Sequence, residues 1–139
     1  MNTGNQVLLV RHAYGNGAEW SLPGGSVRMH ESPVDGVVRE IYEETGIKTK
    51  PQGLINFCAP ERWAGSFALT FCCIPNTKDL IPRVHAFEIQ KAEWFPLDSL
   101  PTTMTEFSEL RVEEYRHGKT GHISTIPNSY PFGPNEMSA

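Results

Sequence analysis

The 139-residue chain is 39% hydrophobic, enough to bury one core and short for two ordinary domains. A formal charge of −4 leaves no basic excess to neutralise phosphate backbones, which argues against nucleic-acid polymers and anionic membranes as partners; a polyanionic ligand would need metal ions for positive charge. No basic flank leads into an apolar run, and no segment nears the ~20 apolar residues of a membrane span, so a cytoplasmic location is expected.

Gln6 to His12 reads as a strand buried through Val7, Leu8, Leu9 and Val10, ending in a Gly15-Asn16-Gly17 turn. Glu19 to Leu22 is a short extended piece stopped by Pro23-Gly24-Gly25, where paired glycines let the backbone approach another group closely. The clearest helix begins at Ser32 as N-cap, with Pro33 in its first position and Asp35 where a capping-box acid belongs, and it stops at Gly46. Val34, Val37, Val38, Ile41 and Thr45 form its apolar stripe, which must pack on something, and charge occupies the opposite face. Strands are predicted at Gly53 to Ala59, Ser66 to Ile74 and Ala92 to Phe95, with a turn at Pro75 to Asp79. A second helix should run from a Thr103 cap to His117, with Met104, Phe107 and Leu110 as its apolar stripe and Gly118 at its end. Glu114 on that helix is expected to matter to neither activity nor stability. Residues 122–139, rich in proline, form an irregular tail behind a single domain spanning 1–121. Cys58, Cys72 and Cys73 read as buried free thiols, and His12, His30, His85, His117 and His122 lack metal-ligand spacing.

Glu40, Glu43 and Glu44 sit at i, i+3 and i+4, so three carboxylates emerge within one helical turn. Their mutual repulsion is relieved either by full solvation, which makes them an ordinary acidic surface, or by cations, and carboxylate oxygens are the preferred ligands of Mg²⁺. Gly36, one turn before Glu40, costs the helix ~1 kcal/mol of propensity relative to alanine and leaves space for a ligand.

The spacing upstream adds to this. Gly25, five residues, Glu31, seven residues, then Arg39-Glu40-Ile41-Tyr42-Glu43-Glu44-Thr45-Gly46-Ile47 resembles the Nudix box of MutT-like hydrolases at every defined position over 23 residues. Trp20 to Gly25 resembles the family's lead-in, and Glu93-Trp94-Phe95-Pro96-Leu97 with Leu100-Pro101 resembles its late strand and loop. One departure stands out: family domains usually carry a strand before the one at Gln6, and only five residues precede it here. The sheet then lacks that strand or borrows one from a partner.

The resemblance implies an α/β/α sandwich around a mixed central sheet, with the box forming loop, helix and loop. It implies a hydrolase that cleaves a phosphoanhydride in a nucleoside diphosphate-linked small molecule, with Mg²⁺ as cofactor and Mn²⁺ as substitute. Glu40 and Glu44 become the principal metal ligands, Glu43 a further one and the Gly24 carbonyl another; Arg39 orients the glutamates by pairing with Glu31, and Gly25 and Gly46 are structural. The proton acceptor for an in-line water attack is a helix glutamate or one from a later loop, and Glu88, five residues before Glu93, stands where triphosphate-cleaving relatives carry such a group. Arg11, Arg62, Trp63 and Phe57 are candidates for substrate contact, against simple solvation or core packing. A proline marking ADP-sugar enzymes and a tyrosine marking dinucleotide enzymes are replaced by Trp63 and Gly65. The compact length and the placement of Glu88 favour nucleoside triphosphates over ADP-ribose or other nucleotide sugars. A non-catalytic nucleotide-binding module of the same fold would be expected to have lost box glutamates, and all four are present. A homodimer is compatible with the sequence.

Overall fold

The structure is a computed structural model that describes residues 1–13, 19–60 and 66–126; Arg62, Trp63 and the Gly15-Asn16-Gly17 turn lie outside them. Among the described residues the elements run β1 (Gln6–His12), β2 (Trp20–Ser21), α1 (Pro33–Thr45), β3 (Thr49–Pro60), β4 (Ala68–Pro75), β5 (Ile89–Pro96), α2 (Glu106–Arg116) and β6 (His122–Ile126). β1 pairs antiparallel with β2 on one edge and with β5 on the other, in the order β2-β1-β5. All of Val7 to Val10 are buried, the signature of a strand covered on both faces. Val7 and Leu9 join Trp20, Leu97 and Val112 in one core, where Phe95 meets Trp20 edge-on at 4.8 Å. Strand alternation sends Leu8 and Val10 to the opposite face. Each such side chain contributes roughly 1.5–3 kcal/mol through its removal from water.

The second sheet, β4-β3-β6, is mixed: β3 runs antiparallel to β4 and parallel to β6. Helix α1 packs on β3 and β5, and α2 on β3 and β2, so both helices join the two sheets into an α/β sandwich. Proline has no N–H for a ladder, and the β3–β4 register shifts between Pro51 and Gly53 and again between Leu54 and Asn56.

Several expectations are corrected. β3 and β5 are longer than predicted, and β6 supplies regular structure over His122–Ile126, where an irregular tail was expected; residues 127–139 lie outside the described residues. No strand precedes β1 among the described residues, and the strand added beside β3 comes from the other end of the chain. On α1, Val34 is 45% exposed and Val37 and Val38 are half-buried, while Ile41, Glu44 and Thr45 are buried. The inward stripe therefore takes in a carboxylate that the sequence placed on the charged side. α2 starts at a Thr105 cap instead of Thr103, because Thr103 to Thr105 lies extended along Trp20, accepting its N–H at 2.8 Å and donating to its carbonyl at 2.9 Å. The buried face of α2 is Ser108, Arg111 and Val112, and Leu110 points outward at 48% exposure. No helix among the described residues is long and apolar enough to cross a membrane.

The N-terminus of α1 is closed as expected, with the Ser32 hydroxyl accepting the Asp35 N–H at 3.0 Å. Gly46 ends the helix at φ 73°, donating to the Tyr42 carbonyl, and a Cβ there would lie 3.1 Å from the Arg83 carbonyl oxygen. Gly46→Ala should therefore lower stability by about 1–2 kcal/mol, read from urea unfolding. An unchanged midpoint would show that the left-handed cap is not needed.

Candidate active site

The Pro23-Gly24-Gly25 turn leaves β2 and meets the C-terminal half of α1. Glu44 follows Ile41 by three residues and Val37 by seven, so it borders the apolar stripe, and it is only 2% exposed. Its Oε1 accepts the Gly24 N–H at 2.7 Å. Burial pushes this carboxyl up to about 8; the Gly24 hydrogen bond opposes the rise, and the negative charges of Glu40, Glu88 and Glu43 add to it. Glu88 is exposed in the loop before β5, and its charge reaches Glu44 across a long stretch of sequence.

Arg39 holds the other acids. Its Nε and Nη2 grip both oxygens of Glu31 at 2.7 and 2.9 Å, Nη1 donates to Glu40 Oε1 at 2.9 Å and to Glu43 Oε2 at 3.1 Å, and Nη2 reaches the Ser26 carbonyl at 3.0 Å. Such fork-to-fork pairing fixes geometry as a point charge could not. The Arg39 hydrogen bonds, helped by the Arg28 backbone N–H, hold Glu31 down at about 2. Arg28 takes the remaining oxygen of Glu43 at 3.2 Å. Gly25 lies against Glu40 so closely that a Cβ would sit 2.6 Å from the carboxyl carbon and 2.7 Å from both oxygens. Gly36 corrects the sequence reading: a Cβ there would lie 3.1 Å from Glu31 Oε1 and 3.5 Å from Val27, so the space serves the Glu31 side chain and not a ligand.

Glu31, Arg39, Glu40, Glu43, Glu44, Gly24 and Gly25 are thus brought together, with Glu88 in electrostatic reach. Four glutamates face two arginines, Arg28 and Arg39; once Glu44 gives up its proton, as a ligating carboxylate must, two negative charges are left for a divalent cation to balance. Among the described residues no three His, Cys, Asp or Glu side chains are arranged as a metal cage. The donor chemistry nevertheless fits Mg²⁺, which uses one or two carboxylates and completes its shell with waters and substrate phosphate. Glu40 and Glu44 each keep an oxygen that no arginine engages among the described residues, whereas both oxygens of Glu43 are taken by arginines.

Arg11 and Phe57 make no hydrogen bond or ion pair with this cluster among the described residues. Arg11 stacks 5.5 Å over Trp20 and donates to Gln90, while Phe57 packs on Phe67 at 5.1 Å, with Phe67 44% exposed. Arg62 and Trp63 lie outside the described residues.

Two sets of polar contacts escaped the sequence reading. The buried Ser108 hydroxyl accepts the Leu22 N–H at 2.9 Å. Buried Arg111 donates to Asn56 Oδ1 at 2.9 Å and to Glu114 Oε1 at 3.1 Å, tying α2 to β3. Glu114 is therefore a structural acid and not the inert surface group expected. A face at i, i+3, i+4 and i+7 through Ser108, Arg111, Val112 and Tyr115 was the available signal, masked by its polar members.

The NUDIX domain profile matches residues 1–115. A MutT-like protein of Streptomyces ambofaciens is 31% identical over 118 residues, covering 85% of this chain and 73% of that one. An RNA pyrophosphohydrolase of Bartonella clarridgeiae is 25% identical over 150 residues, covering 93% and 83%. Among solved structures, a MutT NUDIX hydrolase from Burkholderia pseudomallei superposes with a TM-score of 0.62 at 27% identity, over 79% of this chain and 88% of that one. Family members hydrolyse phosphoanhydrides in nucleoside diphosphate-linked substrates and generally use divalent metal ions. With its box glutamates gathered by Arg39 and its fold shared, this chain belongs to the Nudix hydrolase family.

Proposed function

We propose that the chain is a Mg²⁺-dependent nucleoside triphosphate pyrophosphohydrolase, acting in the cytoplasm, where free Cys58, Cys72 and Cys73 stay reduced. The observation that carries this reading is the buried Glu44, fixed by the Gly24 N–H and coupled to the charges of Glu40 and Glu88. Glu40, Glu44 and the Gly24 carbonyl would hold the ion. When bound, it supplies positive charge to the diphosphate and lowers the cost of deprotonating water. Arg39 keeps Glu40 in place through the exchange of substrate and product, and Gly25 gives it room. Glu44 and Glu88 are the carboxylates proposed to accept the proton of the attacking water. Phe57, with Phe67, offers an aromatic face to a nucleobase, a contact of ~1–3 kcal/mol.

The position of Glu88, exposed in the loop before β5, matches that of the late glutamate which the resemblance assigns to triphosphate-cleaving relatives, and this favours triphosphates over nucleotide sugars. The test is product analysis after incubating nucleoside triphosphates, a 5′-triphosphorylated RNA oligonucleotide, ADP-ribose, sugar nucleotides and dinucleotides with Mg²⁺. Nucleoside monophosphate and pyrophosphate from a triphosphate support the proposal. AMP and ribose 5-phosphate from ADP-ribose alone assign the nucleotide-sugar alternative instead.

Metal binding should depend on pH with a defined sign. In the metal-free folded chain Glu44 titrates at about 8, against 4.5 ordinarily, so the folded state holds a proton that the unfolded chain releases. That contribution to stability is complete below about pH 4.5 and is lost as pH rises through about 8. A ligating carboxylate must be deprotonated, so metal binding expels this proton and strengthens as pH rises. The rise in Tm produced by Mg²⁺ should accordingly be larger at about pH 8.5 than at about pH 6.5. Equal shifts at the two pH values would contradict Glu44 as a ligand.

A further inference from the structure

The lead-in to the box is held at few points. β2 is two residues long, paired to β1 on one side and, through Trp20, to Thr103 and Thr105 on the other. Beyond this ladder come Leu22, Pro23 and Gly24. Proline has no N–H, so this run has two backbone donors: Leu22, which gives its N–H to Ser108 Oγ at 2.9 Å, and Gly24, which gives its N–H to Glu44 Oε1 at 2.7 Å. Ser108 is 2% exposed, and its own hydroxyl is oriented by that of the α2 cap, Thr105 Oγ1, at 2.8 Å. The hydroxyl pair at the start of α2 is therefore the last fixed point before the turn that grips Glu44.

We infer that Ser108 is a positioning residue for the active site: its hydroxyl fixes Leu22 so that the Gly24 N–H stays aimed at Glu44. The fixed φ of Pro23 passes the constraint along, since one rigid residue separates the two donors. This deepens the hydrolase reading of the Glu40–Glu44 site and rests on it for the kinetic consequence only; the geometric consequence is measurable without substrate or metal.

The experiment uses the full chain and four variants. Ser108→Ala removes the acceptor, Ser108→Cys keeps the volume with a weak acceptor, Ser108→Thr keeps the hydroxyl, and Val112→Ala trims the same buried helix face without touching the bond. Amide exchange at Gly24, followed by NMR in metal-free protein, should quicken about tenfold or more in Ser108→Ala and Ser108→Cys and return to near wild type in Ser108→Thr. Val112→Ala should lower Tm and leave Gly24 exchange unaltered under native conditions. With Mg²⁺ and dGTP or ADP-ribose, kcat should fall about tenfold in the Ala and Cys variants with KM within about threefold. Unchanged Gly24 exchange in a folded Ala or Cys variant, failure of Thr to restore it, or an equal kcat loss in Val112→Ala would overturn the inference. If Ala does not fold, Cys is read in its place. Should the wild type hydrolyse neither nucleotide, the exchange result still decides the role of Ser108.

Discussion

Glu44→Gln is expected to lower kcat by about 10² to 10⁴, the loss usual when a metal-borne or proton-accepting contribution disappears. The fold should survive. Glutamine resembles the protonated carboxylic acid that burial favours, and its carbonyl can still accept the Gly24 N–H now bonded at 2.7 Å. Metal-free stability should therefore match wild type below about pH 4.5 and exceed it increasingly as pH rises from there through about 8, the window in which the unfolded wild-type carboxyl ionises while the folded one keeps its proton. Glu109→Gln, on the exposed side of α2, is the matched control; Glu114 is unsuitable because it anchors Arg111. Single-turnover hydrolysis and thermal melts across pH check both halves. Near-wild-type turnover, or a melt showing collapse at neutral pH, would contradict the role given to Glu44.

Gly25→Ala should be nearly as damaging to activity for a different reason. The added Cβ would lie 2.6–2.7 Å from the Glu40 carboxyl group, nearer than real contacts allow. What must yield is the end of a flexible side chain, so the fold can absorb the change while the carboxylate leaves its place beside Arg39. A displacement of about 1 Å in a positioned group costs on the order of 10² in rate. The expected signature is a kcat loss of about that size with Tm lowered by only a few degrees. Gly24→Ala is the comparison, since a Cβ there has no neighbour within 4 Å. Equal activity in the two variants would show that Glu40 is not confined by Gly25.

The box was legible because its chemistry is local and its spacing is enforced by contacts. Glu31 lies eight residues from Arg39 and accepts from its Nε and Nη2 with one oxygen each, and Gly25 is glycine because Glu40 lies against it. Caps at Ser32 and Gly46 were equally readable, each resting on one short-range hydrogen bond. Burial was less so. Glu44 was assigned to a charged face by its side-chain type, although its place three residues after Ile41 takes it inward. α2 was misread for the complementary reason: hydrophobicity chose Phe107 and Leu110, while tertiary contacts selected Ser108 and Arg111, whose partners Leu22 and Asn56 are distant in sequence. β6 was missed because His122 to Thr125, with Ile123 exposed, show no apolar burial pattern, and its parallel pairing is to β3, far away in sequence.

Hydrolysis of the nucleotide panel by the wild-type chain, measured with Mg²⁺ and again after excess chelator, tests the central claim most directly. Turnover of at least one phosphoanhydride substrate with Mg²⁺, abolished by chelation and restored by added Mg²⁺, is the expected result. Undiminished turnover in chelator would contradict a metal-dependent hydrolase built on Glu40 and Glu44.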